Sequence, residues 1–236
     1  MSSQHAIAGV QAAVGPARDS DLAAFASAKL QLVRLRARVN PSEDVSKWRA
    51  TGARSFILHL LMPHPSREPV GPQSFVDYFA EDIHAYLHHD VGCLEIHDEP
   101  NRADRGAGVS WRDGTAFADW FQEVRRLINA RFGDDVAVGF PALAPSTLAR
   151  PVPSAPMDEL EFLDDCQDAL ASADWAAIHL YWRTLEEMRG FDDVMRCLRV
   201  YLKPFKDQTF AITEFANVNP EVTSSARGAQ YVEFLS

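Results

Sequence analysis

The sequence predicts an α/β protein with parallel strands, in the form of a (β/α)8 TIM barrel that lacks its last β/α unit. Short runs rich in Val, Ile, Leu and Phe alternate with amphipathic stretches of helical period. Strands that alternate with helices pair in parallel, because each crossover returns the chain to the same edge of the sheet. Polar side chains follow the ends of several strands, and β/α barrels assemble their sites there.

Seven strands and seven helices can be placed in order along the chain. The predicted strands cover residues 6–14, 32–39, 55–62, 93–97, 136–140, 175–181 and 209–213. The predicted helices lie near residues 19–30, 42–50, 72–88, 113–131, 158–171, 185–202 and 225–235. An eighth strand is missing, and 236 residues is slightly short of the roughly 250 typical of a complete barrel. We interpret residues 1–236 as a single barrel domain truncated at its C-terminus; a seven-stranded barrel and a misassigned first strand are the alternatives.

The helix near residues 113–131 has the clearest pattern. Its apolar face repeats at spacings of three and four and is formed by Phe117, Trp120, Phe121, Val124, Leu127 and Ile128. Asp113 is a suitable N-cap, because its carboxylate can accept a backbone N–H of the first turn. Gly133 follows at the point where a helix end favours a residue that can adopt positive φ. The pattern predicts a helix that packs one face on a sheet.

A doubly wound sheet would show the same alternation of strands and helices. Against it, no Gly-x-Gly-x-x-Gly turn follows the first predicted strand, and no Walker-type Gly-Lys-Ser/Thr loop occurs in the sequence. The sequence therefore favours the barrel and predicts no nucleotide cofactor; no other cofactor is predicted either.

The composition limits the partners of the protein. Hydrophobic residues make up 47% and charged residues 24% of the chain, which is ordinary for a protein with a buried core. The formal net charge of −10 argues against a nucleic-acid partner, because binding phosphate needs a basic surface. No stretch approaches the ~20 apolar residues needed to cross a bilayer, so no membrane partner is predicted. The sequence leaves the oligomeric state open.

The cysteines and the first residues bear on the compartment. Cys93, Cys166 and Cys197 are too few and too widely spaced for a disulfide framework or a cysteine-rich zinc site. Residues 1–9 contain neither a basic leader nor an apolar run of signal-peptide length. A cytoplasmic location is predicted for the chain as given, and export would require a leader that it does not contain.

Two glutamates lie at the ends of predicted strands. Glu99 follows the fourth strand, where Pro100 stops the ladder because it has no N–H to donate, and Glu214 follows the seventh strand. Strands four and seven of a barrel lie across from each other, so these carboxylates can meet over its mouth. Glycosidic cleavage needs such a pair, one as acid for the leaving oxygen and one facing the anomeric carbon. A separation of about 5–5.5 Å makes the second a nucleophile, and configuration is retained.

The residues around these glutamates resemble the motifs of clan A glycoside hydrolases, β/α barrels with catalytic carboxylates on strands four and seven. The strand-four motif of the clan reads Asn-Glu-Pro, often followed by Asn, and residues 98–101 read Asp-Glu-Pro-Asn. The strand-seven motif ends in Thr-Glu or a similar pair, matched by residues 212–215, Ile-Thr-Glu-Phe. Strand six often carries His-x-Tyr, matched by residues 179–181. The resemblance extends over roughly residues 6–217.

The resemblance implies a retaining hydrolase of β-linked glycosides that works by double displacement. It gives Glu99 the acid/base role and Glu214 the nucleophile role, with Tyr181 hydrogen-bonded to the nucleophile and His179 lining the site. Asp98 stands where the clan has an Asn that donates to the sugar 2-hydroxyl; an ionised Asp can only accept from that hydroxyl. Its charge is also expected to raise the pKa of Glu99, which suits a general acid. Asp98 and Glu99 can both reach the site only if the strand twists or bulges at its end.

Three further residues are candidates for substrate binding. Trp182 offers an aromatic face on which a pyranose ring can stack, although a core position is an equal alternative. Arg36 is our choice among Arg34, Arg36 and Arg38 on the second strand, where many clan members carry an arginine in the site. His64, in the loop after the third strand, is a candidate for a substrate subsite.

Two other functions fit the same residues. A metal-dependent barrel enzyme is one, because His97, Asp98, Glu99, His179 and Glu214 are oxygen or nitrogen donors suited to Mg, Mn or Zn. No His-x-His pair or His-Glu-x-x-His helix supports that reading, and no metal is predicted. A non-catalytic carbohydrate-binding barrel is the other, favoured by Asp98 and the short C-terminus. The sugar, its linkage and exo or endo action are left open.

Overall fold

A computed structural model of the protein describes residues 7–63, 68–145, 157–190 and 208–235. Its strands are β1 (Gly9–Gln11), β2 (Leu32–Arg36), β3 (Ser55–Leu60), β4 (Cys93–Ile96), β5 (Ala137–Phe140), β6 (Trp175–Trp182) and β7 (Phe210–Asn217). Its helices are α1 (Asp19–Ser27), α2 (Asp44–Ala50), α3 (Pro72–Leu87), α4 (Gly114–Phe132), α5 (Glu159–Asp165), α6 (Gln167–Ser172), α7 (Leu185–Arg189) and α8 (Ser224–Leu235). Short 3-10 turns cover Ala103–Arg105 and Gly133–Asp135.

The strands follow one another in the sheet in chain order, from β1 to β7. The pairings from β1 to β5, and the pairing of β6 with β7, are parallel. Helical segments lie in the connections between successive strands, as the alternating pattern predicted. An eighth strand is absent from the part of the chain that the structure describes. The predicted α/β fold class with parallel strands and no last β/α unit is therefore confirmed.

The chain forms two compact units that interleave in sequence. The first contains residues 1–63, 71–97 and 123–139, and the second contains residues 64–70, 98–122 and 140–236. Strands β1 to β4 belong to the first unit, and β6 and β7 belong to the second. Asp98, Glu99, His179, Tyr181 and Glu214 all lie in the second unit.

The first unit has a core on both faces of its strands, which is typical of parallel sheets covered on both sides. On β2, Val33, Arg34 and Leu35 are all buried. Arg34 is accommodated because its Nε donates to Glu95 Oε2 at 2.6 Å and its Nη1 donates to Gln11 Oε1 at 2.5 Å. This buried ion pair gives Arg34 and Glu95 a structural role inside the first unit.

The second unit is built around β6, all eight residues of which are buried. In the same unit, the ring of Phe117 packs against the rings of Phe140 and Phe162, with centroid distances of 5.8 and 5.6 Å. Helix α4 begins at Gly114 as predicted, and Asp113 Oδ1 accepts the N–H of Ala116 at 2.8 Å. The glycine is needed there, because a Cβ at position 114 would lie 2.6 Å from Phe162 O.

Several predicted boundaries change. The helix predicted at 158–171 is two helices, α5 and α6, separated at Cys166, whose Sγ donates to Gly114 O. The strand predicted at 209–213 continues to Asn217, so Glu214 lies inside β7 and not after it. Most of the helix predicted at 185–202 lies outside the described residues. Gly133 has the expected positive φ, 75°. Cys93 and Cys166 are free thiols, and Cys197 lies outside the described residues.

None of the helices in the described ranges combines the length and the apolar character that a membrane span requires.

Candidate active site

The backbone after β4 leaves the strand conformation and brings two successive acidic side chains to one histidine. β4 ends at Ile96, and Glu99 has a left-handed φ of 45°. Such a conformation costs a non-glycine residue roughly 1–2 kcal/mol and is found where function requires it. As a result, Glu99 Oε1 lies 3.2 Å from His179 Nδ1, and Asp98 Oδ1 lies 3.7 Å from His179 Nε2. The irregular strand end that both acids require is present.

The loop that carries Glu99 is fixed by buried hydrogen bonds within the second unit. The N–H of Glu99 donates to Ala142 O at 3.0 Å. The side chain of Asn101, which is fully buried, donates to Ala144 O at 2.9 Å and accepts the N–H of Ala144 at 2.8 Å. Trp111 Nε1 donates to Pro100 O at 2.8 Å. The residues of the Asp-Glu-Pro-Asn motif are thus held from several sides.

Glu99 is buried and both of its oxygens have cationic partners. Arg102 Nη1 donates to Oε2 at 2.6 Å, and His179 Nδ1 faces Oε1. Burial raises the pKa of Glu99, but the hydrogen bonds and charges of His179 and Arg102 outweigh that effect and lower the pKa to about 2. The expectation that Asp98 would raise this pKa is therefore wrong for the free protein: the two cations dominate the neighbouring carboxylate.

Arg102 was missed by the sequence analysis. It follows Glu99 by three residues, and the N–H of Arg102 donates to Glu99 O at 3.0 Å, which closes a turn that brings the two side chains together. The other edge of its guanidinium binds Asp104, with Nε to Oδ1 at 2.9 Å and Nη2 to Oδ2 at 2.7 Å. The sequence signal is a basic residue three positions after the acid of the strand-four motif.

A bulge in β7 turns Glu214 toward the same residues. Ile178 of β6 pairs with Ile212, but His179 pairs with Glu214, so Thr213 is an extra residue with no partner position on β6. Paired residues of parallel strands point to the same face, and if Thr213 were paired regularly with His179, Glu214 would pair with Leu180 on the other face. The bulge thus restores Glu214 to the face of His179.

Tyr181 connects the two glutamates through His179. Its hydroxyl donates to Glu214 Oε2 at 2.6 Å and lies 3.3 Å from His179 Nδ1. Tyr181 and His179 share a face because they are two residues apart on β6. The hydrogen bond from Tyr181 to Glu214 is the contact that the resemblance implied, and His179, which was expected to line the site, lies beside Glu99. The functional roles of these residues stay predictions.

His179 is surrounded by acidic groups. Burial lowers its pKa, but the hydrogen bond to Glu99 and the charges of Asp98, Glu214 and Glu99 outweigh burial and raise the pKa above its ordinary value. The ring is therefore an imidazolium over a wider pH range than a free histidine. Asp98 has a second cationic neighbour, Arg105, with Nη2 3.5 Å from its Oδ2.

Asp98, His179 and Glu214 each place one ligand atom within 4.8 Å of the others, so these residues could hold a metal ion. A metal would need the neutral form of His179, because a protonated ring nitrogen has no lone pair to donate. The raised pKa of His179 opposes that requirement.

The remaining residues that were predicted to bind substrate are Trp182, Arg36 and His64. Trp182 is fully buried and packs against Phe215 and Phe234, with Nε1 donating to Gln230 Oε1 at 2.8 Å. The structure assigns this ring to the core, which corrects the prediction of a sugar-stacking platform. Arg36 lies in the first unit, where its N–H donates to Asn40 Oδ1. His64 lies outside the described residues, and the substrate roles of Arg36 and His64 stay predictions.

Comparison with known proteins finds relatives in fold only. No protein-family model matches the chain, and no curated protein matches it in sequence. A GH128 (subgroup II) endo-β-1,3-glucanase from Sorangium cellulosum has a similar structure, with a TM-score of 0.64, 17% identity, and coverage of 96% of this chain and 80% of that one. A GH128 (subgroup III) curdlan-specific exo-β-1,3-glucanase from Blastomyces gilchristii, solved with glucose, gives a TM-score of 0.57, 20% identity, and coverage of 96% and 80%.

A GH5-4 broad-specificity endoglucanase from Clostridium longisporum gives a TM-score of 0.58 at 14% identity, with coverage of 92% of this chain and 71% of that one. At such identities the likeness establishes the fold alone, because one barrel fold supports many chemistries. It confirms that this chain shares the β/α-barrel fold of these three structures.

Proposed function

We propose that this protein hydrolyses a β-linked glycoside with retention of configuration, with Glu214 as nucleophile and Glu99 as acid/base. One arrangement carries the proposal: both carboxylates contact a single His179–Tyr181 pair, Glu99 through His179 and Glu214 through Tyr181. A pair of carboxyl groups held in one site is the apparatus that double displacement requires. The fold of the neighbouring structures agrees with this chemistry.

In the first step, an oxygen of Glu214 attacks the anomeric carbon while the glycosidic bond breaks. The leaving oxygen takes a proton from Glu99, and a glycosyl ester on Glu214 is formed. In the second step, Glu99 takes a proton from water, whose oxygen attacks the anomeric carbon and releases Glu214. Tyr181 donates a hydrogen bond to Oε2 of Glu214 and so holds the carboxylate in one orientation.

The names of two neighbouring structures make β-1,3-glucans the first substrates to test. β-1,3-Glucan oligosaccharides, curdlan, β-1,4-glucan oligosaccharides and a panel of nitrophenyl β-glycosides cover the linkages those names suggest. We expect product with the β configuration in an NMR spectrum recorded at early times. An α product would exclude retention while leaving glycoside hydrolysis in place.

The roles of the two carboxylates are tested by Glu99→Gln and Glu214→Gln. Each should lower turnover of the active substrate below detection while the protein stays folded, as an unchanged far-ultraviolet circular dichroism spectrum would show. Glu161→Gln, which alters an exposed glutamate of α5, is the matched control and should keep full activity. Full activity in either site variant would exclude that residue.

Azide separates the two roles. In Glu214→Gly, azide entering from the nucleophile side should give an α-glycosyl azide from a substrate with a good leaving group. In Glu99→Gly, azide should attack the glycosyl ester on Glu214 and give a β-glycosyl azide. The reverse pattern would exchange the roles.

A metal-dependent reaction is the second candidate, favoured by the donors of Asp98, His179 and Glu214. Activity that is lost in chelator and restored by Mg²⁺, Mn²⁺ or Zn²⁺ would favour it. Unchanged turnover in chelator, with no metal in the purified protein, would support the metal-free glycosidase.

A non-catalytic sugar-binding barrel is the third candidate, favoured by the ion pair that keeps Glu99 ionised. Calorimetric binding of a β-glucan oligosaccharide that is still intact after long incubation at every pH tested would support this function and exclude the first.

A further inference from the structure

The acid/base residue of the proposed reaction is closed off in the free protein. A general acid must present a protonated oxygen to the leaving group. Oε2 of Glu99 is bound by Arg102 at 2.6 Å, and Oε1 faces His179 at 3.2 Å. The Glu99 side chain is 5% exposed, and both of its oxygens are occupied by these cationic partners, so neither oxygen is open to a glycosidic oxygen.

Arg102 is shared between two carboxylates of different character. Asp104 binds two of its nitrogens in the bidentate geometry that is strongest for arginine, and the Asp104 side chain is 46% exposed. Glu99 binds only Nη1 and is buried. Arg102 can therefore release Glu99 by losing one contact and still keep its charge paired with Asp104.

We infer that Arg102 is a positioning residue that holds Glu99 in an ion pair in the free protein and moves toward Asp104 when Glu99 has to act as the acid. This inference rests on the proposed function. Binding of a glycoside beside Glu99 would supply the displacement, because the leaving oxygen has to contact a carboxyl oxygen of Glu99 and Arg102 Nη1 occupies Oε2.

The charged groups around Glu99 determine how its affinity for a proton changes when Arg102 withdraws. His179 faces Glu99 from β6, and Asp98 precedes Glu99 in the chain. Glu214 of β7 affects Glu99 indirectly, because its negative charge favours the protonated form of His179. With Arg102 withdrawn, Glu99 keeps one cationic neighbour and adjoins the Asp98 carboxylate. A carboxylate that loses a cationic partner and adjoins a like charge holds a proton more tightly.

The proton balance is simple. After release, Glu99 takes a proton from solvent, and the leaving oxygen receives that proton when the glycosidic bond breaks. Glu99 is then a carboxylate again and can deprotonate the water of the second step. Arg102 donates no proton in the cycle, so it is not a catalytic residue.

Two substitutions test the inference by moving one quantity in opposite directions. The quantity is the basic limb of the pH profile of kcat/KM, which reports the acid of the free enzyme. Arg102→Gln removes the partner of Glu99 and should move this limb to higher pH. For each unit of that shift, activity above the limb rises about tenfold. Asp104→Asn removes the competing carboxylate, leaves Arg102 to Glu99 alone, and should move the limb to lower pH.

The matched control is Arg126→Gln, an exposed arginine that binds the carboxylate of Glu123 by two contacts in the same way. It should leave the limb unchanged. A limb that stays in place in Arg102→Gln, or that moves in the same direction in Arg102→Gln and Asp104→Asn, would overturn the inference. Since Asp104 is exposed, Asp104→Asn gives a reading even if Arg102→Gln does not fold.

A readout without turnover separates this inference from the proposed function. The titration of Glu99 can be followed by NMR of ¹³C-labelled glutamate carboxyl groups, assigned by the signal missing in Glu99→Gln. We expect Glu99 to titrate at higher pH in Arg102→Gln than in the wild type. No shift overturns the inference even in an active enzyme, whereas a shift without activity on any glycoside leaves the ion pair in place and removes the hydrolase.

Discussion

In the pairing of β6 with β7, Glu214 lies beside His179. Regular pairing continued from Ile178 and Ile212 would instead place Glu214 beside Leu180. The extra residue that corrects the register is Thr213. Its hydroxyl is buried and makes no hydrogen bond, so the residue contributes length and not a polar contact. Glu214, and not Thr213, therefore lies opposite His179 because the strand bulges at Thr213.

Deleting Thr213 should remove the bulge and leave Glu214 opposite His179, because Glu214 would then follow Ile212 directly. Turnover should still fall, because the bulge bends the strand and a displacement of even 1 Å can lower a rate about 100-fold. Thr213→Val keeps the bulge and should keep the activity. This substitution should also raise the free energy of unfolding by up to about 1 kcal/mol, because it removes an unsatisfied buried hydroxyl. Full activity in the deletion variant would show that the bend at the bulge does not position Glu214.

The sequence predicted what depends on local pattern and missed what depends on register and distant packing. Phe210, Ile212 and Glu214 alternate without interruption, so nothing in the residues marks the bulge at Thr213. Trp182 follows a strand that ends in polar residues, but its burial depends on Phe234 of α8, far along the chain.

The pKa of Glu99 could not be predicted from the sequence for a different reason. The effect of Asp98 was predicted from adjacency alone, yet the pKa of Glu99 follows from Arg102 and His179, which only the folded chain brings to it. By contrast, His179, Tyr181 and the two glutamates were found because each belongs to a short motif at the end of a predicted strand, which the sequence alone shows.

Tyr181→Phe tests the hydrogen bond to the nucleophile. The variant removes the hydroxyl that donates to Glu214 Oε2 at 2.6 Å and keeps the ring. A hydrogen bond to a charged group contributes about 1.5–3 kcal/mol, so kcat should fall about 10- to 100-fold. Melting temperature is the control, since loss of fold would also lower activity. A kcat equal to that of the wild type would contradict the orienting role.

The stability of the protein should decrease in acid because of Glu99. Its pKa is lowered from 4.5 to about 2 in the folded state, so its contribution is complete above pH 4.5 and is lost as the pH falls toward 2. The difference corresponds to roughly 3 kcal/mol. Urea unfolding between pH 2 and 7 should show this slope in the wild type and in Glu161→Gln, and a flatter slope in Glu99→Gln. Equal slopes in all three proteins would contradict the ion pair.

The contribution of His179 to stability should depend on pH in the opposite direction. Its pKa is raised in the folded state, so its contribution to stability is complete below the unfolded pKa and is lost as the pH rises through the folded pKa. The difference in unfolding free energy between the wild type and His179→Asn should therefore be largest below about pH 6.5 and should decrease in alkaline solution. A difference that grows with pH would mean that the buried ring is neutral.

Substitutions of Trp182 distinguish a role in the core from a role in sugar binding. Trp182→Ala removes a fully buried ring stacked on Phe234 and should cost about 3–5 kcal/mol of unfolding free energy. Trp182→Phe keeps an aromatic ring but loses the hydrogen bond to Gln230, which should cost about 1 kcal/mol beyond the change in packing. If Trp182 belongs to the core, Trp182→Phe should bind a glucan oligosaccharide as tightly as the wild type in calorimetry. A tenfold weaker affinity at unchanged stability would return this ring to the substrate site.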